Sequence, residues 1–225
     1  MIIRSRRFRS ALALFAMVAP GFLRRFVHTR LLGYRIDPTA VIGRSFIDVD
    51  RFEMGPGAAI GHLNVIRGLE DLWMAEASRI AHLNWINSVR RDKGFFEDVD
   101  RHLALIMGYN TSITIMHFID CCAKVELVSR SVLAGYWTQV MTHTFDYRTA
   151  RQDARPITIG ERSIITTRCT LLPGVKIAER SIVAAGSVVH GQCRKPGFLY
   201  AGVPAKPVRE LDFSQLFLTD ELTIR

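Results

Sequence analysis

Apolar residues recur at a strict interval of six through ITIGERSIITTRCTLLPGVKIAERSIVAAGSVV, at Ile159, Ile165, Leu171, Ile177, Val183 and Val189. An α-helix repeats at about 3.6 residues and a strand at 2, so a sustained six belongs to neither alone. It implies short strands joined by turns, three of them closing a triangular coil. Four residues after successive apolar positions stand Ser163, Cys169, Val175, Ser181 and Ser187, small or compact as a narrow interior requires. The same phase governs Ile36, Ile42, Met54, Ile60, Ile66 and Leu72, with Asp48 the polar exception between Ile47 and Val49. Two extra residues then move it to Ile80 and Ile86. Met107, Ile113, Ile119 and Val125 keep the period, and Leu127 and Leu133 stand in a register shifted again by two. Corners can absorb such insertions. Stacked coils of this kind bury one continuous apolar column, although no coil is stable alone.

Two stretches break the pattern, residues 88–105 and 142–156, and each is expected to leave the stack at a corner. Loops projecting from a rigid scaffold commonly carry binding and catalytic groups. With 225 residues, 48% hydrophobic and 23% charged, the chain suits one domain with a continuous core. Its net charge of +9 fits an anionic partner such as a phosphorylated cofactor or a membrane surface. Much of the excess sits in Arg4, Arg6, Arg7, Arg9, Arg24, Arg25 and Arg30, away from the repeats, which argues against nucleic acid. Cys121, Cys122, Cys169 and Cys193 show no metal spacing, and a reducing compartment fits them best.

Residues 1–33 read as a basic amphipathic helical segment that caps the fold, touches a membrane through residues 1–32, or both. The run ALALFAMVAP superficially resembles a secretory signal but is about half the ~20 residues a bilayer span needs. Residues 34–203 form the coiled body. A C-terminal tail, 204–225, is expected to hold a short helix around Leu211, Phe213, Leu216 and Leu218.

From Tyr34 to Leu211 the chain resembles the hexapeptide-repeat acyltransferases, closest to sugar and exopolysaccharide O-acetyltransferases such as the galactoside and colanic acid enzymes. The resemblance is carried by THTFDY, then PITIG opening the perfect repeats, then AGVPAKPVRE closing them, in that order. It implies an all-β fold, a left-handed parallel β-helix of hexapeptide repeats, usually a homotrimer. It also implies acetyl-CoA as co-substrate, a sugar hydroxyl of a polysaccharide, lipopolysaccharide or glycolipid as acceptor, and a cytoplasmic location, peripheral at the membrane if residues 1–32 touch it.

A hydroxyl needs a base to attack a thioester near neutral pH, and histidine titrates in the right range. His143 matches the family's catalytic histidine. Such a base needs its other ring nitrogen held by an acceptor. Asp146 stands three residues on, although a loop carboxylate can equally cap a turn or pair with Arg148 or Arg151. Carried over from the family, the cofactor positions are Thr167, Ala185, His190, Lys206 and Arg209. The last two also suit a phosphate on physical grounds. The segment 164–167 and His190–Gly191 depart from the family's pattern and put the detailed cofactor contacts in question.

His62 and His82 recur in HLN contexts, IGHLNVI and IAHLNWI, so that Asn64 and Asn84 fall at the small inward position. Stacked amides could satisfy backbone groups there; if Asn84 instead faces the cleft, it would position an acceptor sugar. Phe95 and Phe96 are candidates to line that cleft or to pack on a neighbouring subunit. No metal is expected. Competing possibilities are a β-helix carbonic anhydrase, which needs histidines converging on zinc, and a noncatalytic scaffold.

Overall fold

A computed structural model of the chain describes residues 5–96 and 99–212. The body is a left-handed parallel β-helix of triangular cross-section. Among the described residues its first face has eight strands, from Arg35–Ile36 to Gln192–Cys193. The second has nine, from Val41–Ile42 to Phe198–Gly202 and Ala205–Glu210, and the third seven, from Phe46–Asp48 to Val188–Val189. Strands pair with their equivalents one coil away. On the second face Ile42, Ile60, Ile80, Ile113, Leu133, Ile165 and Val183 therefore stand in one column. Full burial of each such side chain contributes about 1.5–3 kcal/mol, which a lone coil cannot collect.

The two-residue shift is taken up on a face rather than at a corner. The strand Asp71–Met74 buries both Leu72 and Met74, stacked on Phe52 and Met54 below and Leu105 and Met107 above. Val125 with Leu127, and Ile157 with Ile159, continue the double row. Alternate side chains of a strand point inward, so lengthening a face by two keeps both ends on the core. On the third face Ile47 pairs with Ile66 in the interior, and Asp48 turns outward to accept the Ser10 hydroxyl at 2.7 Å.

A polar rail runs inside the corner between the second and third faces. The backbone N–H of Asn64 donates to Ser45 Oγ, that of Asn84 to Asn64 Oδ1, and that of His117 to Asn84 Oδ1. Thr138 N–H then donates to His117 Nδ1 and Cys169 N–H to Thr138 Oγ1. Each coil thus supplies the acceptor its successor needs in a narrow interior, where an unpaired N–H would be costly.

Helices α1 (Arg6–Val18) and α2 (Gly21–Phe26), with a π-helical turn at Val27–Leu31, close the first coil. Ala16 and Val27 join the apolar column, while arginines serve the open edge. Buried Arg24 donates to the carbonyls of Ala16, Ala19 and Ile42, Arg9 to Leu32 and Val49, and Arg25 to Ile36, Asp37 and Ala40. Part of the positive charge is therefore consumed in ending the solenoid. At the other end the first part of the expected tail, residues 205–210, is a strand antiparallel to Phe198–Gly202, which covers the last edge of the second face. Phe213, Leu216 and Leu218 lie outside the described residues.

Candidate active site

Both excursions leave from one corner. Residues 88–103 and 142–156 each connect the third face to the first, and the coil between them turns the same corner with Asp120–Lys124. The second excursion is a β-hairpin of His143–Asp146 with Arg151–Ala154, His143 opposite Ala154. Phe96 of the first excursion reaches the base of the second: buried among Cys122, Ala123 and Ala154, it meets the His143 ring edge-on with centroids 6.0 Å apart. Arg101, its guanidinium 4.3 Å from the Phe96 centroid, is tied to the Val89 and Cys122 carbonyls. Phe95 stays exposed.

The acceptor at His143 is Asp120, whose Oδ2 lies 2.7 Å from Nδ1. The same oxygen takes the backbone N–H of Thr142 and of His143 and the Thr142 hydroxyl, while Oδ1 takes the Cys122 N–H. Burial pushes the Asp120 carboxyl up, but hydrogen bonds from His143, Cys122 and Thr142 outweigh it and hold the group at about 2. His143 moves the other way, raised well above the histidine range first by its hydrogen bond to Asp120 and then by the neighbouring Cys122. The pair favours a carboxylate facing an imidazole whose Nδ1 keeps its proton, leaving Nε2 as the nitrogen for proton exchange. Asp146 does not share in this: its Oδ1 caps the hairpin turn by accepting the Arg148 N–H. Asp120, Cys122 and His143 place a carboxylate, a thiol and an imidazole nitrogen within 4.8 Å of one another, donors that a transition metal could also take.

No family model matches the chain. YvoF of Bacillus subtilis, provisionally assigned as an acetyltransferase, is 30% identical over 92 residues, which are 39% of this chain and 51% of its own length. Galactoside O-acetyltransferase of Escherichia coli is 39% identical over 57 residues, 25% of this chain and 28% of its own. Among solved structures AntD, an N-acyltransferase from Bacillus cereus captured as a mutant with dTDP and coenzyme A, matches the fold. The alignment covers 87% of this chain and 91% of that one, at 13% identity and a TM-score of 0.50. The chain is similar in sequence to acetyltransferases and shares the hexapeptide-repeat β-helix fold. It spans about half the length of YvoF and less of the galactoside enzyme.

In this hexapeptide-repeat protein the cofactor candidates divide between two corners. Thr167 and Ala185 sit one coil apart where the second face meets the third, joined by the Gly186 N–H donating to the Thr167 carbonyl. Lys206, opposite Ala201, lies near the next coil of that corner, and Arg209, opposite Leu199, is three positions further along the strand, roughly 10 Å away. His190 follows the third-face strand Val188–Val189, on the corner of the excursions. Lys206, Arg209, Ala185 and His190 are exposed. Asn84 is not in the cleft. It is 1% exposed, and its amide is spent on the Thr114 carbonyl, Asn64 Oδ1 and the His117 N–H, so the interior rail uses every group it could offer a sugar. Sequence reasoning missed Asp120, although Ile119 pairs with Val140 and so puts Asp120 one coil below Met141, beside the THTFDY segment.

Proposed function

We propose that this protein transfers an acetyl group from acetyl-CoA to a sugar hydroxyl of a polysaccharide, lipopolysaccharide or glycolipid, with His143 as general base and Asp120 as its positioning residue. The 2.7 Å contact between His143 Nδ1 and Asp120 carries the proposal. His143 Nε2 takes the proton as the hydroxyl oxygen attacks the thioester carbon. A backbone N–H at the corner steadies the tetrahedral oxyanion, and collapse expels the thiolate, which receives the proton back from Nε2. The galactoside O-acetyltransferase relative supports a sugar acceptor, and the coenzyme A in AntD supports a CoA thioester donor, with Thr167, Ala185, His190, Lys206 and Arg209 as its contacts. A cytoplasmic location follows from that donor, and the described cysteines, all buried and unpaired, are compatible with it.

Self-association into a homotrimer is part of the same reading. Leu63, Leu83, Met116 and Trp137 form an exposed column at one corner, flanked by exposed Trp85 and Phe118, more apolar surface than a lone protomer usually leaves in water.

The deciding experiment measures acetyl transfer to a panel of sugars while coenzyme A binding is followed separately. His143→Ala should lose on the order of 10²- to 10⁴-fold in kcat and still bind coenzyme A. Full activity in that variant would move the chemistry elsewhere, and absence of binding by either protein would favour a scaffold. Chelation should leave the rate unchanged; a rate that needs zinc would turn the Asp120, Cys122 and His143 cluster into a metal centre instead.

A further inference from the structure

A helix on the surface of a protein in water ordinarily turns its large apolar side chains inward and its charges outward. The two capping helices do the reverse. Toward the first coil α1 and α2 present Ala13, Ala16 and the guanidinium groups of Arg9, Arg24 and Arg25, all engaged with protein carbonyls. Outward, Phe8, Leu14, Phe15 and Val18 share the opposite face of α1, Val18 with 71% of its surface open, and Phe22 and Phe26 stand one turn apart on α2 at 80% and 51%. Exposed Arg7, on the same side of α1 as Leu14, and exposed Arg30, four residues after Phe26, border these side chains, while Arg6 turns to Asp50 at 3.8 Å.

The geometry points to a lipid bilayer with anionic headgroups as the occupant of this face. We infer that α1 and α2 lie in its interface, phenylalanines among the acyl chains and arginines at the phosphates. Aromatic and aliphatic side chains framed by cations are the pattern of helices that bind in the plane of a membrane. Among the described residues no helix is long and apolar enough to cross one, so the contact is peripheral. A second copy fits the face less well, since it would set its own arginines against these in an already basic molecule, whereas phosphates neutralise them. The inference stands on the capping helices alone and does not depend on the acyltransferase chemistry.

The full chain is tested by flotation with vesicles of phosphatidylcholine and of phosphatidylcholine mixed with phosphatidylglycerol. It should float with the anionic vesicles, be released by raised salt, and remain unbound to phosphatidylcholine alone. The double variant Phe15→Ser/Phe22→Ser alters only exposed side chains, so its thermal unfolding, its mass in solution and its transfer to soluble sugars should be unchanged while binding falls by roughly tenfold or more. Failure to float on anionic vesicles would overturn the inference, as would equal flotation of the double variant. A lower assembly mass in that variant would also overturn it and assign the face to contact between copies.

Discussion

Asp120 receives hydrogen bonds from the imidazole, the hydroxyl and three backbone N–H groups of its corner, so an asparagine would keep its shape and lose its charge. Two effects should separate cleanly. Without the carboxylate the neutral amide no longer favours the working tautomer, and kcat in Asp120→Asn should fall on the order of 10²-fold or more. The pH profile should move as well. A base must be unprotonated to act, and His143 is raised by Asp120, so activity of the unmodified protein should climb as pH rises through the alkaline range. In the variant that limb should shift to lower pH, measured as kcat/KM against pH; a lower rate with an unmoved profile would leave Asp120 a merely structural role. His143 was legible in the sequence because its motif is contiguous. Asp120 was not, because its 23-residue separation closes only when the coils stack, and Asp146 looked suitable through nearness along a chain that turns back on itself.

The capping helices rest on a few guanidinium groups. Arg24→Ala would strip partners from the carbonyls of Ala16, Ala19 and Ile42 and leave a gap between the two helices and the first coil. The expected loss is about 2–4 kcal/mol, read from denaturant unfolding, with hydrogen exchange rising first at the capped end. From sequence the basic segment could be recognised as helical, but the arginines looked like an outward electrostatic signal. Their engagement with carbonyls depends on the open edge of a coil that the local pattern does not display. The tail was harder for a related reason. Alternation in 205–210 is weak, and the strand exists because the last edge of the second face offers it partners.

Across the molecule the hexapeptide period was enough to define the coils, the buried column and the two excursions, since every repeat states the same geometric rule. It could not say which side of the triangle would be longer, because both a corner and a face can absorb two residues. The exposed apolar corner sets the expectation for assembly. Trp137→Asp together with Leu83→Asp should lower the mass measured by light scattering toward a single chain, with the coils still folded by circular dichroism; an unchanged mass would place the contact elsewhere. The interior rail has a consequence in time rather than in space. Along it the backbone N–H donors belong to the later coil and their acceptors to the earlier one, while the Asn64 and Asn84 amides also donate forward to the Ala81 and Thr114 carbonyls, so neighbouring coils satisfy each other. Assembly of the prism is then cooperative between neighbouring coils, each leaving polar groups unpaired until the next is in place.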